Sequence, residues 1–411
     1  MNEAIIKEKL QENFLSYLAI PSQSDEKNPN VPSSVGQLLL VQKLEKDLED
    51  LGLVDIAINE FGVLQAKLPA NNTTYNIGWV CHLDTVDVGL SDQINPQVIK
   101  NYDGKDIVLN EKENIVFSTK ENPEILSYMG DDIIVTDGRS VLGADNKAAI
   151  ANVITALWYL KENPDINHGN IYIAFVPDEE IGLRGVRKID FEKFPVDFAY
   201  TIDCCALGEL VYETFNAASG VIKIKGVSAH PMSAKGVLVN PIMIAHDFIS
   251  MLDRAKMPEN TENREGYVWI TDIKSDVLNC RIDFNIRNHD KEKFEESKTY
   301  LLDAIEILKK RYKSAEIEID IEDTYANILD SVDENNEVAI ENLKDIYQKL
   351  EIDPKIIPMR GGTDGSYLST RGILTPNYFT GAHNFHSNKE FLPMNSFYKS
   401  FKVTVELMRG I

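Results

Sequence analysis

Apolar residues recur at three- and four-residue spacing over residues 3–19 and 35–52, which predicts two amphipathic helices. Gly52 and Gly62 punctuate the stretch after the second helix. Residues 75–82 (YNIGWVCH) are a buried-strand pattern that ends in polar chemistry. A polar, turn-rich stretch with short strand patterns occupies 99–135. Helical spacing returns over 145–160, with Asp145 at its start, and 170–176 and 198–202 read as further buried strands. This alternation predicts an α/β domain with a central, mostly parallel sheet flanked by helices.

The texture changes near residue 215. Residues 221–225, 267–271 and 277–286 read as half-exposed strands, 240–254 and 291–312 as helices, and 315–321 (AEIEIDI) alternates strictly. That is an α+β sandwich, one antiparallel sheet with two helices on one face. After about 325 the first texture resumes: helix 335–350, a short strand at 355–357, a helix after Gly362, strand 373–378 and a closing helix 394–408. One α/β domain in two parts (1–214 and 325–411), interrupted by an inserted domain (215–324), accounts for both shifts.

Length agrees: 411 residues suggest about two domains, and 43% hydrophobic with 26% charged residues is an ordinary globular balance. The net charge of −23 disfavours nucleic acid and anionic membrane surfaces as partners. No apolar run approaches the ~20 residues of a membrane span. The opening residues lack the basic region and long apolar core of a signal peptide. Four cysteines, Cys81, Cys204, Cys205 and Cys280, form no CxxC pair, so a reducing, cytoplasmic setting is expected.

Five polar clusters come directly after strand patterns, where open α/β sheets bind ligands. In His82-Leu-Asp84, two residues apart on an extended chain point the same way, so His82 can ligate a metal while Asp84 orients its ring. Asp145, in Gly143-Ala-Asp145-Asn146-Lys147, can bridge two cations, although an Asp at a helix start is also a good N-cap. Glu179 and Glu180 allow one carboxylate to ligate and the other to act as general base. Asp203 ends strand 198–202; Cys204 and Cys205 beside it are better explained as small buried residues than as ligands. Either His383 or His386, in the segment running to Glu390, can close the site. Mixed histidine and carboxylate donors suit zinc, and less tightly cobalt or manganese. Two further clusters stand apart: His230-Pro231 in the inserted domain, and the glycine-rich Arg360–Gly365 loop, which can cradle an anion but lacks the phosphate-loop Lys-Ser/Thr.

The motifs HLDTVD (82–87), TDGRSVLGADNKAA (136–149), PDEEIG (177–182), TIDC (201–204), AHPMSAKGVLVN (229–240), IRNHDK (286–291), RGGTDG (360–365) and HNFHSNKEF (383–391), in this order and nearly end to end, resemble the peptidase T family of tripeptide aminopeptidases. That family sits in the co-catalytic zinc peptidase superfamily with aminoacylases and glutamate carboxypeptidases. The resemblance implies two Zn2+ per subunit, bridged by Asp145, with His82 and Asp203 on one and Glu180 and His386 on the other. It implies Glu179 as general base, Asp84 as the partner of His82, and His230 approaching the scissile carbonyl. Asn240, Arg287, Arg360, Gly362 and Thr363 are implied substrate contacts. The inserted domain resembles a lid or dimerisation domain, so a monomer or a homodimer through it is expected, acting on short peptides. Asn146, Met232, Asn288 and the Arg264-Glu265-Gly266 segment depart from the family pattern, around the implied ligands rather than at them. The alternatives are another amide hydrolase of the superfamily, of aminoacylase or carboxypeptidase type, or a peptide-binding protein without catalysis.

Overall fold

A computed structural model describes residues 2–72 and 75–410. The chain divides into two compact units, the first comprising 1–212, 331–357 and 363–411, the second 213–330 and 358–362.

The first unit is built on an eight-stranded sheet. Its order is Val54–Ile58, Leu64–Leu68, Asn170–Val176, Asn76–His82, Phe198–Cys204, Asn377–Phe379, Glu209–Glu213 and Lys355–Pro358. The four central strands, 170–176, 76–82, 198–204 and 377–379, run parallel. Strands 54–58, 64–68 and 209–213 pair antiparallel outside them, so the sheet is mixed rather than mostly parallel. These outer strands escape a periodicity reading because they are short; 54–58 is largely exposed and carries no clean alternation. The expected strand 373–378 is shorter than its apolar run. Pro376 has no N–H to give; before Asn377 the Leu374 and Pro376 carbonyls accept from Ala199 and Thr201, while the Ile373 and Thr375 N–H groups turn back to Leu368 and Ser369.

Helix Ala144–Glu162 is buried on nearly every face from Ala144 to Leu157, which explains its all-round apolar and small-residue composition. Helices Glu3–Leu18 and Met394–Arg409 pack on it. The first is capped by Asn2, whose side chain accepts from Ala4 N at 2.9 Å, and buries Ile6, Leu10, Phe14, Tyr17 and Leu18. Residues 96–136 add strands Pro96–Ile99 and Ile133–Thr136, which form a three-stranded sheet with Leu392–Pro393, and a hairpin of Ile107–Asn110 and Ile115–Phe117.

The second unit is a four-stranded antiparallel sheet ordered Tyr267–Ser275, Asn279–Asn288, Asn216–Lys225, Glu316–Tyr325. Helices Pro241–Met251 and Lys291–Arg311 close one face over a core that includes Ile222, Ile282, Phe284, Phe248, Leu301 and Leu308. Alternation in the strands puts Ile222, Ile282 and Phe284 inward and charged residues such as Lys223 and Arg281 outward, as on any half-solvated sheet.

Candidate metal centre

The four parallel strands deliver their chemistry at their carboxyl ends. His82 is the last residue of 76–82, Glu179 and Glu180 follow 170–176, Asp203 lies near the end of 198–204, and His386 is on the loop after 377–379. Together with Asp145 at the start of the central helix, they gather into overlapping groups: His82, Asp145 and Asp203; His82, Glu179 and Glu180; and Asp145, Glu180 and His386. The ligand atoms within each group lie within 4.8 Å of one another.

Asp145 is at the middle. One carboxylate oxygen is 2.9 Å from His82 Nε2 and the other 3.1 Å from His386 Nε2. Its backbone is non-helical (φ −82°, ψ 101°), and Gly143 occupies the cap position. The carboxylate is thus turned to two histidines and does not cap the helix. His82 is 2% exposed, and its Nδ1 faces the Asp84 carbonyl at 3.0 Å, which leaves Nε2 toward the cluster. Asp84 is fully buried and also braces the neighbouring strand end. Its two oxygens accept the backbone N–H groups of Glu179 (3.0 Å) and Glu180 (3.1 Å). One carboxylate therefore anchors the glutamate pair beside the histidine.

The electrostatics show what the cluster lacks. Burial and the Asp145 charge push the Glu180 carboxyl up to about 7 and that of Asp203 up to about 6. Burial raises Glu179 well above the usual carboxylate range. Burial alone would lower His82, yet its carboxylate neighbours Asp145, Asp203 and Asp84 raise it well above 6.5; Asp145 and Glu180 lift His386 to about 11. Glu180 Oε1 lies 3.0 Å from His386 Nε2. That oxygen is buried and has no hydrogen-bond partner among the described residues. Several buried carboxylates converging on two histidines, one carboxylate with a buried oxygen 3.0 Å from His386 Nε2 that has no hydrogen-bond partner, fit a bound divalent cation.

Surrounding residues complete the frame. Asn146 donates from Nδ2 to the Ile202 carbonyl (3.0 Å) and to Asp203 Oδ1 (3.1 Å), so the departure from the family pattern orients an acidic group of the cluster. Glu390 accepts the backbone N–H of Gly143 (2.8 Å) and of Asp145 (3.2 Å). Buried Lys147 donates to the Ile20 carbonyl at 2.6 Å. Asp364 is buried, with an oxygen lacking a hydrogen-bond partner, and burial pushes its carboxyl well up. Glu390 falls inside a recognisable motif where the sequence alone assigns it no role, and Asp364 inside the Arg360–Gly365 loop, expected only as a substrate contact. Their function is to bond backbone or to sit beside charge, and no spacing rule reports that.

The remaining expected residues lie elsewhere. His383 is outside these groups: its Nε2 is 2.6 Å from the Tyr128 hydroxyl. Thr363 caps helix Asp364–Thr370 and donates to Asn377 Oδ1 at 2.9 Å. His230, Asn240, Arg287, Arg360 and Gly362 belong to the second unit. There His230 is exposed and accepts from Met232 N, and Asn240 caps helix Pro241–Met251. Arg360 donates to Thr261, Asn263 and Glu265. Arg287 lies over the Tyr325 ring, its Nη1 buried without a partner. Gly362 packs so closely on Tyr325 that a Cβ would fall 2.4 Å from the ring.

The sequence profile described as Peptidase family M20/M25/M40 matches residues 137–410. The chain belongs to that family. It is 50% identical to a peptidase T-like protein of Yersinia pestis over 97% of each chain. It is 42% identical to a peptidase T of Caldanaerobacter subterraneus, over 97% of this chain and 98% of the relative. The fold matches the crystal structure of an aminopeptidase PepT from Bacillus cereus, with a TM-score of 0.75 at 23% identity over 98% of each chain. The chain is thus a hydrolase, a metallopeptidase of the aminopeptidase type. Among the described residues no helix is long and apolar enough to cross a membrane.

Proposed function

We propose that the chain releases the N-terminal residue from short peptides, tripeptides foremost, using two zinc ions held by the cluster. The observation that carries this reading is the two-sided use of Asp145, with each oxygen facing a different histidine. In this assignment Asp145 is shared, His82 and Asp203 complete one position, and Glu180 and His386 the other. Cobalt or manganese suits the same donors less tightly. The metal pair, when bound, supplies Lewis acidity and a water of lowered pKa.

Glu179 is the proton carrier. It is held beside the ligands by its backbone bond to Asp84, and its carboxylate takes the proton of the attacking water and returns it to the leaving amine. Asp84 and Asn146 orient their neighbours and stay out of the chemistry. His230 and Arg287 are retained as groups acting on substrate, His230 on its sequence motif and Arg287 on its unpartnered buried nitrogen. Four free cysteines support a reducing, cytoplasmic setting, and the net charge of −23 disfavours nucleic acid as a partner. The assembly is read as a monomer or a homodimer through the second unit.

The test is release of alanine from Ala-Ala-Ala, with dipeptide, tetrapeptide and N-acetylated controls, before and after chelation. Cleavage of the free tripeptide that chelation abolishes and zinc restores is expected. Cleavage of the acetylated substrate alone moves the chain to the acylase type. Glu179→Gln should abolish turnover and keep both zinc ions; near-normal kcat in that variant removes Glu179 from the mechanism.

A further inference from the structure

Residues 383–391, which carry His386, form a closed loop. The backbones of His383 and Phe391 exchange N–H···O bonds of 2.9 and 3.2 Å at its base. Two of its side-chain-bearing residues, Asn384 (φ 58°) and His386 (φ 61°), sit in the left-handed region, so surrounding contacts have to hold this shape.

Many of those contacts come from the 99–135 insertion, while Asn388 Nδ2 donates to the Gly138 carbonyl at 2.9 Å and Asn384 Nδ2 to the Lys389 carbonyl at 3.3 Å. At the base, the His383 ring stacks on Phe391 (4.8 Å, 7°), and Tyr128 packs edge-on against both. The Tyr128 hydroxyl is 2.6 Å from His383 Nε2. Phe391 is itself buried in a small core with Tyr102, Leu109, Phe117 and Ile125. Nearer the tip, Asn384 Nδ2 donates to Glu124 Oε1 at 2.7 Å and to Asn122 Oδ1 at 3.2 Å. On the return side, Lys389 Nζ donates to the Val116 carbonyl at 2.8 Å. Glu390 then ties the loop to the backbone N–H of Asp145. The insertion thus holds the loop at residues 383, 384, 389 and 391, and Glu390 bonds it to the Asp145 backbone.

We infer that the 99–135 insertion is the positioning element of the His386 ligand: Glu124 and Tyr128 hold the loop so that His386 Nε2 faces Asp145 and Glu180, and thereby set the affinity of one metal position and not the other. The inference rests on the proposed assignment of His386 as a ligand. Groups that orient a ligand through its supports act on metal affinity, and losing one typically weakens binding about 10–100-fold.

The experiment is a competitive zinc titration of the full chain with a chromophoric chelator, with thermal unfolding alongside. The variants are Glu124→Ala, Glu124→Gln, Tyr128→Phe and His386→Ala. Glu124→Ala and Tyr128→Phe should each weaken one of two zinc sites about tenfold or more and leave the other unchanged. Glu124→Gln keeps an acceptor oxygen for Asn384 and should stay within about threefold of the parent. Tyr128→Phe keeps the aromatic packing and covers the case in which Glu124→Ala fails to fold. Unchanged affinities, or equal weakening of both sites in step with lost thermal stability, would overturn the inference. If His386→Ala still binds two zinc ions at parental affinity, the ligand assignment itself fails, and that outcome is distinct from the first.

Discussion

Asp84→Asn is the sharpest probe of how the centre is assembled. The substitution keeps the shape of the side chain and removes only its charge and one acceptor. Both carboxylate oxygens are in use, one on Glu179 N–H at 3.0 Å and one on Glu180 N–H at 3.1 Å, at a fully buried position. An amide offers one oxygen, so whichever way it turns, one backbone N–H meets an NH2 group. A hydrogen bond to a charged group contributes about 1.5–3 kcal/mol, and an orphaned buried donor costs about 1–3 kcal/mol. The variant should lose about 3–5 kcal/mol of stability, part of it recovered if the glutamate turn shifts. That shift would move Glu179 and Glu180 together, so kcat/KM should fall about 10–100-fold even at saturating zinc. Urea unfolding of the apo-protein, paired with tripeptide kinetics of the zinc-loaded form, measures both. A variant within about 0.5 kcal/mol of the parent and with kcat/KM within about threefold would show that Asp84 does not organise the pair.

Removing the metal should lower Tm by several degrees and readdition of zinc should restore it, because a ligand at about 100 times its Kd contributes about 2.7 kcal/mol; differential scanning with and without chelator reads this. Burial lowers the His383 pKa from 6.5 to about 4. The unfolded chain therefore binds a proton that the folded chain refuses in that window, so stability is complete above pH 6.5 and falls as pH drops toward 4, by up to about 3 kcal/mol. His383→Gln should remove that part of the slope, measured as unfolding free energy against pH; an unchanged slope counts against it. Gly362→Ala places a Cβ 2.4 Å from the Tyr325 ring and should cost about 1–3 kcal/mol by displacing the ring from its stack with Arg287, and an unchanged denaturation midpoint would refute that.

Several features were legible in the sequence for simple physical reasons. Strands buried on both faces are continuous apolar runs, and so 76–82, 170–176 and 198–204 could be read together with the polar groups that end them. His82, Glu179, Glu180 and Asp203 stood out because a polar residue directly after such a run is costly unless it has a use. The motif order from His82 to Glu390 carried the family. Other features depend on where strands distant in sequence are brought together. Short outer strands such as 54–58 bury too little to leave a period, and the sheet turned out mixed. At Asp145 the local signal allowed a helix cap or a ligand. Only the approach of His82 from 63 residues away and His386 from 241 residues away turns both of its oxygens to histidines. The supports of His386 are harder still to foresee, because Glu124 and Tyr128 meet residues 384 and 383 across some 260 positions of chain, through one hydrogen bond each and, for Tyr128, ring packing. Local pattern reports which residues are buried and which are charged. Which charges share one dielectric pocket is decided by long-range chain packing, and with it where a cation belongs.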